Sequence, residues 1–157
     1  ETADKSLAMK LNACVSGKLI DMSEVEDDMF SQKMMGDGVA IKPTGNTVVA
    51  PADAEVTMVM EESLHAIGLR MNNGVELLIH IGIDTVKLDG EGFSLFTKAG
   101  EKVTAGTPLI QFNSSIIKNA GYKDTVIMAI TNSAEYPQMK KAADGDVDGG
   151  NTPVMMF

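Results

Sequence analysis

Between Val75 and Ile83 every odd position is aliphatic: Val75, Leu77, Ile79, Ile81 and Ile83. Side chains on a strand alternate between its two faces, so this run predicts a β-strand with one unbroken core face. The even positions, Glu76, Leu78, His80 and Gly82, fall on the opposite face, and Asp84 and Val86 follow them. The alternation therefore sends His80 outward. Gly82 is expected to leave open space beside it, and Leu78 and Val86 to give that face an apolar surround.

The rest of the chain is built from similar short runs. Strands are expected at 17–22, 38–42, 47–50, 55–60, 66–71, 108–112, 125–131 and 152–157. Turn signals separate several of them, among them Pro43-Thr44-Gly45-Asn46, Asn72-Asn73-Gly74 and Asp89-Gly90. Many short strands punctuated in this way predict an all-β sandwich or barrel. Two short helices are expected. One starts at Ser23 with Glu26 three residues on as a capping box, and the other runs from Ser114 to Ala120 and stops at Gly121. Val103-Thr104-Ala105-Gly106-Thr107-Pro108-Leu109-Ile110-Gln111-Phe112 echoes 147–157 with one residue inserted, and Ala13-Cys14 and Ala50-Pro51 each precede a strand. Paired hairpins of this kind suggest a duplicated sandwich.

A length of 157 residues and 44% hydrophobic content suffice for one sizeable core. There is no Trp, so aliphatics and twelve Met must fill it. The net charge of −9 argues against nucleic acid as a ligand and against anionic membrane surfaces. It suits a partner that presents Lys or Arg. Cys14, alone, forms no internal disulfide, which fits a reducing, cytoplasmic compartment. No signal peptide or membrane-spanning run is visible, so direct membrane insertion is not expected. The chain starts at Glu1 rather than Met, which suggests a domain cut from a longer polypeptide. Residues 1–11 are expected to be a flexible segment or a remnant of trimming.

The chain has two His, His65 and His80. A neutral imidazole is a competent nucleophile near pH 7. A second imidazole nearby could donate to phosphoryl oxygens, which supplies the positioning that phosphoryl transfer needs. A straight strand would put Asp84 roughly 13 Å from His80 at about 3.3 Å per residue, a rim position facing a partner's cation. Other readings stand beside this one. His80 alone could be a surface or satisfied core residue. The two His could form part of a metal pair, although no third ligand is apparent. The acidic run Glu24, Glu26, Asp27, Asp28 could be a solvated face, and Met34-Met35 reads more readily as core than as contact surface.

Leu78-Ile79-His80-Ile81-Gly82-Ile83-Asp84-Thr85-Val86 resembles the active-site signature of glucose-family enzyme IIA domains of the bacterial phosphotransferase system. Val25-Glu26-Asp27-Asp28-Met29-Phe30, Lys33-Met34-Met35-Gly36-Asp37-Gly38-Val39-Ala40-Ile41, Ala50-Pro51, His65-Ala66-Ile67-Gly68-Leu69 and Gly90-Glu91-Gly92-Phe93 resemble further family segments in the same order. The resemblance covers residues 12–157. It implies a β-sandwich of duplicated hybrid motifs and a phosphocarrier that needs no metal and no organic cofactor. It implies that His80 is phosphorylated through Nε2 and that His65 assists. Ser63 falls near the family's usual Thr, and Gly82 supports the site. Asp27 and Asp84 resemble flanking carboxylates that meet an arginine of the phosphocarrier HPr. Phe30, Met34, Met35, Leu78 and Val86 resemble the apolar contact patch. Cys14 and Ala54 depart from a common Pro and a common turn Gly, and the last thirty residues match least well.

The implied reaction runs from HPr phosphohistidine to His80, then to a cysteine of a IIB domain of the sugar permease. An alternative is a regulatory domain fused to a sugar permease in cis, whose phosphorylation tunes transport. A biotinyl or lipoyl carrier hairpin around Met139-Lys140 and a zinc peptidase on a related sandwich are weaker readings. The latter lacks a His-x-His pair.

Overall fold

The computed structural model describes residues 8–157. Strands β1 (Lys10–Asn12), β2 (Gly17–Asp21), β3 (Asp37–Pro43), β4 (Thr47–Val49), β5 (Ala54–Val59), β6 (Ala66–Met71) and β7 (Glu76–Ile83) form the first part of the chain. Strands β8 (Phe93–Leu95), β9 (Lys102–Val103), β10 (Pro108–Phe112), β11 (Lys123–Ile130), β12 (Lys140–Lys141), β13 (Gly145–Val147) and β14 (Pro153–Met156) follow. Two short helices, α1 (Asp28–Ser31) and α2 (Ser114–Asn119), interrupt them.

The expected duplication is visible in the pairing. The large sheet has the order β13-β2-β3-β11-β7-β6-β5-β9, and two three-stranded sheets read β1-β14-β12 and β4-β10-β8. Its central pair is β11 and β7, and outward from it each half repeats the other: β3, β2, β13 on one side and β6, β5, β9 on the other. The hydrogen bonds repeat too. Ala13 N donates to Thr152 O at 2.8 Å where Ala50 N donates to Thr107 O at 2.9 Å, and Gly150 N bonds Ala13 O where Gly106 N bonds Ala50 O, both at 2.8 Å. Thr107 and Thr152 are the matching positions of the two echoing segments, so the sequence repeat is a repeat of backbone geometry. The sheets are open, which makes the molecule a sandwich rather than a closed barrel.

The main core holds the inward residues of the large sheet. Leu77, Ile79 and Ile81 of β7 are at most 2% exposed, and burying side chains of this size stabilises by about 1.5–3 kcal/mol each. That anchorage fixes where β7, and hence His80, can sit. A second cluster lies on the other face of the same strands. Ile20, Ala40, Ile127, Ala129 and Ile83 pack there beneath Met22, Val25 and Phe30. The His80 face is therefore partly roofed by the connection between β2 and β3.

Four local expectations are corrected. The capping box closes two residues earlier than Ser23/Glu26: Asp21 accepts from Ser23 N, and the Glu24 carboxylate accepts from Asp21 N. This produces a 3-10 turn at Met22–Glu24, and α1 begins separately with Asp27 as its N-cap. Lys10 and Leu11, expected within a flexible segment, belong to a strand, because Leu11 is fully buried and β1 pairs with β14. Residues 1–7 of that segment lie outside the described residues. Ile83 leaves the core face of Val75–Ile81 for the second cluster, because the alternation is broken at Gly82. Finally, Lys140 lies in β12 paired with β14 while Gly145–Val147 pairs with β2, so these residues form no carrier-type hairpin.

Candidate functional site

His80 sits on β7 opposite Ala66 of β6 on one side and Ile127 of β11 on the other. His65 immediately precedes Ala66, and its carbonyl accepts from Ile81 N at 2.7 Å. Cross-strand neighbours on an antiparallel sheet are within side-chain reach, so two residues fifteen positions apart in sequence come together. Their rings stand edge to face with centroids 4.6 Å apart and planes at 87°. Phe30 of α1 tilts over His80 from the roof, 4.9 Å between centroids.

The His80 ring is oriented by its own chain. Nδ1 lies 2.8 Å from the Gly82 carbonyl, and a carbonyl only accepts, so Nδ1 carries the proton and Nε2 keeps its lone pair. His65 Nδ1 lies 2.8 Å from the Ser63 hydroxyl, and both residues are buried. Leu64 between them takes a left-handed conformation, φ 58°, which turns the chain to let Ser63 reach the ring. Burial, assisted by the neighbouring His65, pushes the His80 imidazole down to about 4, against weaker opposition from the Gly82 carbonyl, Asp27 and Asp84. Burial also lowers His65. The His80 ring is thus neutral at pH 7.

The end of β7 does not run straight. Gly82 has φ 79° and Asp84 φ 62°, and the register with β11 shifts between Lys123 and Val126. A Cβ at Gly82 would lie 2.8 Å from Lys123 O and would overlap the Thr85 side chain. The open space expected beside His80 is therefore filled, and glycine is required there for φ and for close approach. Beyond the bend Asp84 lines one depression with His80. Asp84 precedes a 3-10 turn at Thr85–Leu88 without capping it, so its carboxylate is left for other work. Asp27, across the depression, caps α1 through Oδ1 to Met29 N at 2.9 Å.

The depression encloses about 250 Å³ and is lined by Phe30, Met35, Leu78 and Val86 as well as His80 and the two carboxylates. Met34, which pattern alone would put in the core and the resemblance on the contact patch, is 68% exposed and stands outside that lining. Met35 is half-buried against the second cluster. Met29 lines the depression and is 48% exposed; sequence reasoning missed it, though its place between Asp28 and Phe30 in the acidic segment was a usable signal. A larger groove of about 540 Å³, bordered by Asn46, Ser94, Gln111 and Asn113, is lined by no ionisable side chain. Among the described residues no three His, Cys, Asp or Glu side chains gather as a metal set would.

A neutral, oriented imidazole that shares one depression with two carboxylates on an open β-sandwich is the equipment of a group-transfer domain. The chain belongs to the family described as phosphoenolpyruvate-dependent sugar phosphotransferase system, EIIA 1, whose model matches residues 9–136. It is 44% identical over 126 residues to the PTS system mannose-specific EIIBCA component of Corynebacterium glutamicum, covering 80% of this chain and 18% of that protein. It is 44% identical over 138 residues to the PTS system glucoside-specific EIICBA component of Staphylococcus carnosus, covering 88% and 20%. The chain spans about a fifth of the length of these relatives. The solved glucose permease IIA from Mycoplasma capricolum superposes with a TM-score of 0.86 at 32% identity over 96% of both chains. The protein is thus an EIIA-type phosphotransferase component with the glucose IIA fold. Among the described residues no helix is long and apolar enough to cross a membrane.

Proposed function

We propose that this domain relays a phosphoryl group from the phosphohistidine of HPr to Nε2 of His80 and on to a cysteine of a IIB domain, in support of sugar uptake. The observation that carries the reading is the Nδ1 to Gly82 bond, which presents the Nε2 lone pair of a neutral ring. In the first step that lone pair attacks phosphorus. The donor's N–P bond breaks, and its electron pair returns to the donor imidazole. In the second step a cysteine thiolate attacks phosphorus, and the pair of the breaking bond returns to Nε2. His65, held by Ser63, meets the phosphoryl oxygens and stabilises the charge spread over them.

Asp27 and Asp84 receive the basic groups of each partner, and Met29, Phe30, Met34, Met35, Leu78 and Val86 supply an apolar surface around them. Methionine suits a surface that meets two partners, because its flexible side chain repacks against different shapes. The relatives are named as EIIBCA and EIICBA components, which supports a IIB domain and a transporter in cis and a cytoplasmic position at the membrane. Incubation with phosphoenolpyruvate, enzyme I and HPr should place one acid-labile phosphate on His80. Phosphate on another residue, or none, would overturn the proposal.

A further inference from the structure

The bend that brings the Gly82 carbonyl to His80 has a fastener. Thr85 is fully buried, and its hydroxyl donates to the Ile81 carbonyl across the bend. Its methyl occupies the space where a side chain on residue 82 would lie. Ile81 and Gly82 are consecutive, so the hydrogen bond and the methyl contact together determine which way the intervening peptide faces. One carbonyl turns to Thr85 and the next to His80 Nδ1.

We propose that Thr85 is a positioning residue for phosphoryl transfer: by fastening the bend after β7 it aims the Gly82 carbonyl at His80 and so selects the tautomer that exposes Nε2. The ring nitrogens bond Ser63 and Gly82, and the Thr85 hydroxyl bonds the Ile81 carbonyl. Thr85 acts through the backbone of 81–82, and its hydroxyl and its methyl are both used. Without that carbonyl the proton is free to exchange between Nδ1 and Nε2, and the Nε2-protonated form has no lone pair directed at the donor. The inference rests on the relay proposed above.

The test compares the natural protein with Thr85→Val and Thr85→Ser. Long-range proton–nitrogen spectra of the His80 ring report the tautomer, and the rate of labelling from phosphorylated HPr reports the function. Thr85→Val keeps the shape and removes the donor. It should convert His80 from one Nδ1-protonated form to a mixture and slow labelling roughly ten- to hundredfold, as misplacement of a reacting group does. Thr85→Ser should restore the nitrogen pattern and most of the rate. A Thr85→Val protein with unchanged tautomer, or with an altered tautomer and unchanged rate, would overturn the proposal.

If Thr85→Val does not fold, the natural protein decides. A slowly exchanging Thr85 hydroxyl proton coupled to the Ile81 carbonyl, with His80 protonated on Nδ1, supports the role, and absence of either refutes it. Should the natural protein take no phosphate from HPr, the relay fails, while the nitrogen spectra still report whether Thr85 sets the tautomer.

Discussion

The rings of His65 and His80 meet edge to face at 4.6 Å because Ala66, the neighbour of one, pairs across the sheet with the other. A pair built into a central strand ladder cannot drift apart without breaking β6 from β7. The arrangement separates two roles. His80 has its Nδ1 occupied by backbone, and His65 has its Nδ1 beside a hydroxyl.

His80→Ala should abolish labelling from phosphorylated HPr. His65→Ala should leave measurable labelling and slow onward transfer to the IIB cysteine by about a hundredfold, the scale of a lost charge-stabilising group. Single-turnover transfer assays read both steps. Normal onward transfer by the His65 variant would remove His65 from the mechanism.

The His80 imidazole should titrate near 4 rather than near 6.5. Its folded value lies below its unfolded value, so the unfolded chain binds more protons between those limits. Stability is then fully present above about pH 6.5 and falls as pH drops toward 4, by about 3 kcal/mol from this group. Labelling should hold level from pH 8 to about 5. A nuclear magnetic resonance titration of His80 with a midpoint near 6.5 would contradict the burial argument.

Gly82→Ala adds a methyl where Lys123 O and Thr85 already sit and forces a positive φ on a residue that resists it. The expected cost is about 2 kcal/mol or more, read as a lower melting temperature. Labelling should fall with it, because the carbonyl that holds Nδ1 is displaced. A variant as stable and as active as the natural protein would show that the bend is not tight.

Lys141 of β12 bonds both Asp21 and Asp37 at 2.9 Å, and it is 22% exposed. The Asp21 carboxyl is lowered first by its bond from the Ser23 hydroxyl and then by Lys141; at Asp37 burial pushes upward, and Lys141, the Gly38 N–H and Lys33 together outweigh it. Lys141→Met should therefore destabilise by about 1–2 kcal/mol at pH 7, leaving two half-exposed carboxylates without their shared cation. Depressed carboxylates contribute above their unfolded value and lose that contribution as pH falls through the folded one. The difference in melting temperature should shrink toward pH 3, and an equal difference at both pH values would argue for lost packing alone.

Much of the site could be read along the chain. The alternation of 75–81 assigned His80 to the face away from the core, and the echo between 103–112 and 147–157 announced the two-fold plan. Both are local facts, since strand periodicity and turn chemistry depend on neighbours in sequence. The short edge strands β8, β9, β12 and β13 carried no such signal, because two or three residues make no period and only the adjoining strand holds them extended. The contact of His65 with His80, the roof of Val25 and Phe30, and the bend at Gly82 belong to the tertiary structure alone. Each depends on which strand lies beside β7 and on what fills the space at its end. The one-dimensional pattern chose the face of His80; packing across strands supplied its ring partner, its tautomer and its low basicity.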